Sequence, residues 1–152
     1  MALELAKSPV QVITEALGRA LAATGLMPES GVPDFNVSHP KDESHGDYAT
    51  NLALLLAKNS GKNPRELAEK LITSLQNDTL LSTLIDISKI NVAGAGFINF
   101  TLTTEYLLTQ AMFAKVVGYG RSNRLAGQKV MVEYTDPNPF KEMHIGHLMS
   151  NT

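Results

Sequence analysis

His144 and His147 stand three residues apart with Gly146 between them, behind Pro137-Asn138-Pro139 and the apolar run Val130-Met131-Val132. Residues spaced by three share a helix face, so two histidines in this pattern point the same way. A helix beginning beside them offers unpaired N–H groups and the positive end of its dipole, both of which suit phosphate. Gly146 has no Cβ, which lets a nucleotide come close to the backbone. A hydrophobic strand that turns through a Pro-rich loop into such a helix delivers that loop to the carboxyl edge of a parallel sheet, where open α/β folds bind ligands. The chemistry these residues suit is the binding of ATP phosphates.

A zinc pair is the competing reading of His144 and His147. It fails for want of a third ligand nearby in sequence and because the chain has no cysteine. Ordinary surface histidines would be the default without the Pro-Asn context. His39 and His45 lie in a polar stretch and read as solvated.

Composition narrows the field further. With 152 residues and an apolar fraction of 43%, the chain can build a real core as one domain, or one domain plus a fragment. A formal net charge of −2 does not advertise a nucleic-acid binder, so any RNA contact must come from a local patch. The absence of cysteine removes disulfides and thiol catalysis. Met1 to Ser8 has no apolar h-region, and the longest apolar run, Leu52 to Ala57, falls far short of the roughly twenty residues of a membrane span. The expectation is a cytoplasmic chain with no membrane contact and no protein-bound metal.

The positioning elements follow from local signals. Ser8-Pro9 reads as an N-cap followed by proline at the first helical position; Val10, Ile13, Leu17, Ala20 and Leu21 recur at helical spacing, and Gly25 closes the helix. Phe35-Asn36-Val37 is a short strand candidate. A second helix is expected from Asp47, as its cap, to about Lys58. Asn63-Pro64-Arg65-Glu66 opens a third helix with Leu67, Leu71, Ile72 and Leu75 as its buried stripe. Leu84 to Val92 reads as a strand, Ala93-Gly94-Ala95-Gly96 as a turn, and Phe97 to Thr101 as the returning strand of a hairpin. A fourth helix from Thr103 or Thr104 carries Leu107, Leu108, Ala111, Met112 and Val116. Lys58, Lys62, Arg65 and Lys70 read as a solvated helix face.

This order predicts an α+β fold for residues 1–118, with helices packed on a small, mainly antiparallel sheet. Residues 119–128 read as a linker. Residues 129–152 read as the first strand and loop of a truncated Rossmann-like α/β domain, most of which is missing. An apolar strand without its neighbours is expected to make the fragment self-associate.

The segment Val132-Glu133-Tyr134-Thr135-Asp136-Pro137-Asn138-Pro139-Phe140-Lys141-Glu142-Met143-His144-Ile145-Gly146-His147-Leu148 resembles the His-x-Gly-His signature of class I aminoacyl-tRNA synthetases, and among them the arginyl-tRNA synthetases. Gly46-Asp47-Tyr48-Ala49-Thr50-Asn51-Leu52-Ala53, Asn63-Pro64-Arg65-Glu66-Leu67-Ala68 and Gly94-Ala95-Gly96-Phe97-Ile98-Asn99-Phe100 resemble three landmarks of that family's N-terminal additional domain. The likeness covers essentially the whole chain, and four landmarks in order are more specific than the histidine motif alone.

The resemblance implies an enzyme that joins arginine to ATP and then esterifies tRNA(Arg), with Mg²⁺ accompanying ATP. It implies that His144, Gly146, His147 and Lys141 bind ATP within the loop of Pro137, Asn138 and Pro139. Glu133 and Asn138 would hold the α-amino group of arginine. It also implies that Phe97 and Asn99 contact a base of the tRNA D-loop, and strand alternation puts both on one face, with Ile98 and Phe100 on the other. The parent is expected to be a monomer, and the fragment alone inactive. Asp136, Met149 and Asn151 depart from the family's usual residues. A stand-alone tRNA-binding module and another His-x-Gly-His nucleotidyltransferase are the alternatives. The first has no need of an ATP loop; the second leaves the other landmarks unexplained.

Overall fold

The computed structural model describes residues 8–29, 31–121, 123–132, 140, 142 and 144–149. The chain divides into two units, Met1–Lys115 and Val116–Thr152.

The first unit is an α+β structure. Helix α1 spans Pro9–Thr24: Ser8 caps it through Gln11 N–H, the Gln11 side chain returns the bond to Ser8 N–H, and Gly25 closes it in the left-handed conformation. Helix α2 is Leu52–Ser60 and α3 is Pro64–Leu75, the latter capped by the Asn63 side chain. Four antiparallel strands, β1 (Val37–Ser38), β2 (Tyr48–Thr50), β3 (Asn91–Ala93) and β4 (Phe97–Phe100), form one sheet in the order β1-β2-β4-β3. Helix α4, Thr104–Phe113, starts at Thr103, whose hydroxyl accepts Tyr106 N–H.

Strand alternation gives the sheet two unlike faces. Val37, Thr50 and Ile98 stand opposite one another in register, as do Tyr48 and Phe100. These five are buried and belong to the face packed against α1, α2 and α3, whose Ile13, Leu17, Leu21, Leu52, Leu56, Leu67 and Leu71 fill the core. Ser38, Ala49 and Asn99 occupy the opposite face across the same strands.

Two expectations are corrected, and one element forms as expected with an uncovered face. Asp47 caps no helix. Its backbone N–H donates to the Phe100 carbonyl (2.9 Å), and its carboxylate accepts Leu102 N–H (2.7 Å), so Tyr48–Thr50 becomes a strand beside β4 and the helix begins only at Leu52. Leu84 to Val92 is not one strand. The Asp86 carboxylate accepts from Ser88 N–H and hydroxyl and folds Ile87–Lys89 into a 3₁₀ turn, which splits the segment into a single bridge of Ile85 with Leu102 and the short strand Asn91–Ala93. A short polar side chain that bonds its own backbone competes with a ladder in this way. Finally, α4 forms but buries none of its residues: Leu107, Leu108 and Met112 are exposed.

In the second unit, helix α5 covers Ile145–Met149. Lys129–Val132 form no strand, and Val130, Met131 and Val132 are exposed. A strand needs a hydrogen-bonded neighbour, and the described residues of this unit offer none. The expected start of a Rossmann-like sheet is therefore absent from Lys129–Val132, while Glu133 and Tyr134 lie outside the described residues.

One ion pair ties α1 to the turn after α3. Asp78 accepts Leu80 and Leu81 N–H and meets Arg19 at 2.7 Å. Burial pushes its carboxyl up, but Leu81 N–H, the Arg19 guanidinium and Leu80 N–H together outweigh burial and hold it below the ordinary value. A depressed carboxyl binds fewer protons in the folded than in the unfolded chain. Its stabilisation is full above the unfolded value of about 3.9 and is lost as pH falls through the folded one. We expect Asp78→Ala to cost about 2 kcal/mol at neutral pH, from the lost turn bonds, and to flatten the fall of the urea midpoint below about pH 4. An unchanged acid slope would contradict this role.

Candidate nucleic-acid interface

The open face of the sheet carries a cleft of about 460 Å³, within the roughly 300–1,000 Å³ usual for ligand sites. Its floor is made of small residues for a reason of register. Ala49 on β2 stands opposite Asn99, and Ala93 on β3 opposite Phe97, so each candidate residue has a methyl group on one side; on its other side Asn99 stands opposite Asn91 of β3. Gly94, in the hairpin turn, extends the gap. Asn36 and Asn51 close one side, joined by Asn36 N–H donating to the Asn51 side chain (3.0 Å).

Phe97 and Asn99 both line this cleft, and they differ in exposure. Phe97 is 43% exposed, a ring with its surface open to solvent. Asn99 is only 2% exposed, and its Nδ2 has no hydrogen-bond partner among the described residues. A buried amide donor left unpaired costs stability, typically about 1–3 kcal/mol, and such groups are uncommon in folded chains. Asn99→Val removes the orphan donor and suits a strand better. We expect it to raise the stability of the folded chain by about 1 kcal/mol. A fall in the thermal midpoint would show instead that the amide has a structural partner.

The cleft wall opposite the hairpin is the loop between β1 and β2, and it is pinned at several points. His39 Nδ1–H donates to the Asp47 carbonyl (2.7 Å), and its ring lies against Tyr48 with centroids 4.6 Å apart. Burial, with Tyr106 and Asp47 nearby, pushes the Tyr48 phenol up and keeps it neutral. Asp42 caps the 3₁₀ turn Glu43–His45 by accepting Ser44 N–H (2.9 Å), and Ser44 holds the Asp42 carboxyl below its ordinary value. Gly46 then brings the chain against β4, where an added Cβ would sit 2.8 Å from the Phe100 carbonyl oxygen. The hairpin is anchored likewise: Gly96 packs on Pro64, so two of the landmark segments touch.

The other candidate residues are placed as follows. His144 lies one residue before α5, and its ring Nδ1 accepts Gly146 N–H at 3.1 Å. His147 lies within α5, but its side chain is not among those described. Glu133, Pro137, Asn138, Pro139 and Lys141, with Asp136 and Asn151, lie outside the described residues; Met149 ends α5. Sequence reasoning missed the cleft's contribution from His39, Lys41, His45, Ala49 and Ala93. The signal that finds them is strand register, which local pattern does not reveal.

A fold of three helices on an antiparallel sheet, with an aromatic ring and a free amide on the open face, defines a class of domain before any comparison. The family model for the arginyl-tRNA synthetase N-terminal domain matches residues 11–102. An arginine–tRNA ligase of Bacillus pumilus is 37% identical over 95% of this chain and 26% of its own length. One of Pseudomonas syringae pv. syringae is 43% identical over 92% of this chain and 23% of its own. The crystal structure of arginyl-tRNA synthetase from Plasmodium falciparum shares the fold, with a TM-score of 0.54 and 20% identity, over 93% of this chain and 26% of that one. The chain belongs to the arginyl-tRNA synthetase N-terminal domain family. It spans about a quarter of the length of these relatives.

Proposed function

We propose that this chain is the N-terminal part of an arginine–tRNA ligase, and that residues 1–118 form the domain that contacts the D-loop of tRNA(Arg). Residues 119–128 link it to the start of the catalytic domain at 129–152. The reading is supported by the family match and by relatives of that name. The observation that carries the RNA contact is the pairing, in one cleft, of the open Phe97 ring with the unpartnered Asn99 amide. Unpaired RNA bases are read by stacking on an aromatic ring and by hydrogen bonds to their edges, and this pair supplies one of each.

In the whole enzyme the arginine carboxylate attacks the α-phosphorus of ATP, which enters as its Mg²⁺ complex, and pyrophosphate leaves. The ribose hydroxyl at the end of tRNA(Arg) then takes the arginyl group and AMP leaves. His144, Gly146, His147 and Lys141, carried by the Pro137-Asn138-Pro139 loop, hold the phosphates as negative charge builds. Glu133 and Asn138 accept from the arginine ammonium. Among the described residues no group of three His, Asp, Glu or Cys side chains is placed to hold a metal ion. On this reading the magnesium accompanies the nucleotide as part of the substrate. Among them also, no helix is long and apolar enough to cross a membrane. We assign the parent to the cytoplasm as a monomer in protein biosynthesis.

The test is the affinity of the 152-residue chain for a tRNA(Arg) transcript. Stacking of one base is worth about 1–3 kcal/mol, so Phe97→Ala should weaken binding about fivefold or more. Equal affinity of Phe97→Ala and the parent sequence would overturn the base-reading role.

A further inference from the structure

Three basic side chains line the cleft beside Phe97 and Asn99: His39, Lys41 and His45. Among the described residues no carboxylate lines it, although the chain as a whole carries a net charge of −2. All three are exposed, and all three come from the loop that Asp47, Tyr48 and Gly46 hold in place. The His39 ring is oriented by its contacts. Nδ1–H is taken by the Asp47 carbonyl, so Nε2 is the atom left for a ligand. Neutral, Nε2 is an acceptor and meets phosphate oxygen with no proton to share; protonated, it is a cationic donor.

The carboxylates nearest this loop are engaged elsewhere or turned to the turn itself. Asp42 accepts Ser44 N–H and lies close enough to His45 to feel its charge. The Asp47 carboxylate accepts Leu102 N–H. Glu43 sits exposed in the 3₁₀ turn outside the cleft lining. Lys41, and His39 and His45 when protonated, therefore line the same space as the aromatic ring and the Asn99 amide.

We propose that His39, Lys41 and His45 form a phosphate clamp that holds the phosphodiester flanking the nucleotide whose base enters the cleft. This rests on the reading of the cleft as an RNA-base site. Phosphate contacts fix position and base contacts specify, and the cleft supplies both from opposite walls: phosphate from the β1–β2 loop, base from β4.

The experiment is the binding of a tRNA(Arg) transcript to the 152-residue chain by fluorescence anisotropy, over a salt series. The triple variant His39→Gln, Lys41→Gln, His45→Gln should bind more weakly than the parent sequence at low salt, and its plot of log affinity against log salt should be shallower by about 0.7–1 per phosphate contact removed. Phe97→Ala should weaken binding throughout the series and leave the salt slope intact. A triple variant that keeps the parent slope overturns the clamp while leaving base reading untouched. A triple variant that behaves as expected beside an unaffected Phe97→Ala overturns base reading and keeps the phosphate site. No binding by the parent sequence at low salt overturns both. Should the triple variant unfold by circular dichroism, Lys41→Gln alone, at an exposed position, must still lower the slope by about 0.7–1.

Discussion

Gly46→Ala is expected to destabilise the first unit by about 3 kcal/mol, a large share of the roughly 5–15 kcal/mol that holds a domain folded. Two costs add. The backbone at Gly46 has φ +88°, a conformation that costs a side-chain-bearing residue about 1 kcal/mol or more. The new Cβ would also lie 2.8 Å from the Phe100 carbonyl oxygen and 2.9 Å from the Thr101 hydroxyl. The nearer obstacle is backbone in a central strand, which cannot rotate away as a flexible side chain could. Relief therefore requires the loop to lift from β4, stretching the bonds from Asp47 to Phe100 and from Leu102 to Asp47. Gly61→Ala is the control. Its φ is +66°, but nothing lies within 4 Å of its added Cβ, so it should cost only about 1 kcal/mol. Urea unfolding of both variants checks the difference; equal midpoints would show that contact with β4 contributes nothing. Because the lifted loop carries His39, Lys41 and His45, Gly46→Ala should also weaken tRNA binding, whereas Gly61→Ala should not.

Where structure follows from short-range chemistry, it was legible in the residues. Ser8-Pro9 and Asn63-Pro64 start helices because a capping oxygen and a proline act within one turn, and both helices begin where these signals lie. Ala93 to Phe97 turns because a Gly-rich link allows a tight hairpin, and the register Ala93 opposite Phe97 realises it. Elements made by distant partners were not legible. Tyr48–Thr50 is three residues long, too short to show a period of two, and it is a strand because β4 lies beside it. Asp47 sits where a helix cap would, yet its carboxylate reaches Leu102, 55 positions away. The apolar positions of α4 recur at helical spacing, but spacing reveals the helix and not whether a neighbour covers its face.

The candidate site divides along the same line. Phe97 and Asn99 share a face by alternation alone, which needs no knowledge of neighbours. That Asn99 is sealed at 2% exposure while Phe97 stays open depends on β4 being an inner strand, flanked by β2 and β3. His39 and His45 read as solvated because a polar loop says nothing about where it is pinned. Tertiary bonds from Asp47 and the packing of Tyr48 turn that loop into a cleft wall.

The largest expected loss belongs to Phe100→Ala, about 3–5 kcal/mol, which by itself would leave the first unit marginal or unfolded. Phe100 is fully buried, stands opposite Tyr48 and belongs to the core shared with α1, α2 and α3. Removing its ring forfeits the transfer energy of the lost atoms and leaves a cavity, since the neighbouring strand is held by its ladder and cannot collapse inward. Phe97, three residues earlier on the same strand, has the opposite exposure. Its replacement by alanine should change stability by less than about 1 kcal/mol while removing the stacking surface of the cleft. The same substitution at the two phenylalanines thus separates the sheet's faces: one should lower the thermal midpoint and take RNA binding with it through unfolding, the other should lower RNA binding in a chain that melts almost as before. Equal midpoints for the two variants would mean that β4 does not present Phe100 to the core and Phe97 to solvent. The division of labour that turns this strand into a binding surface would then be wrong.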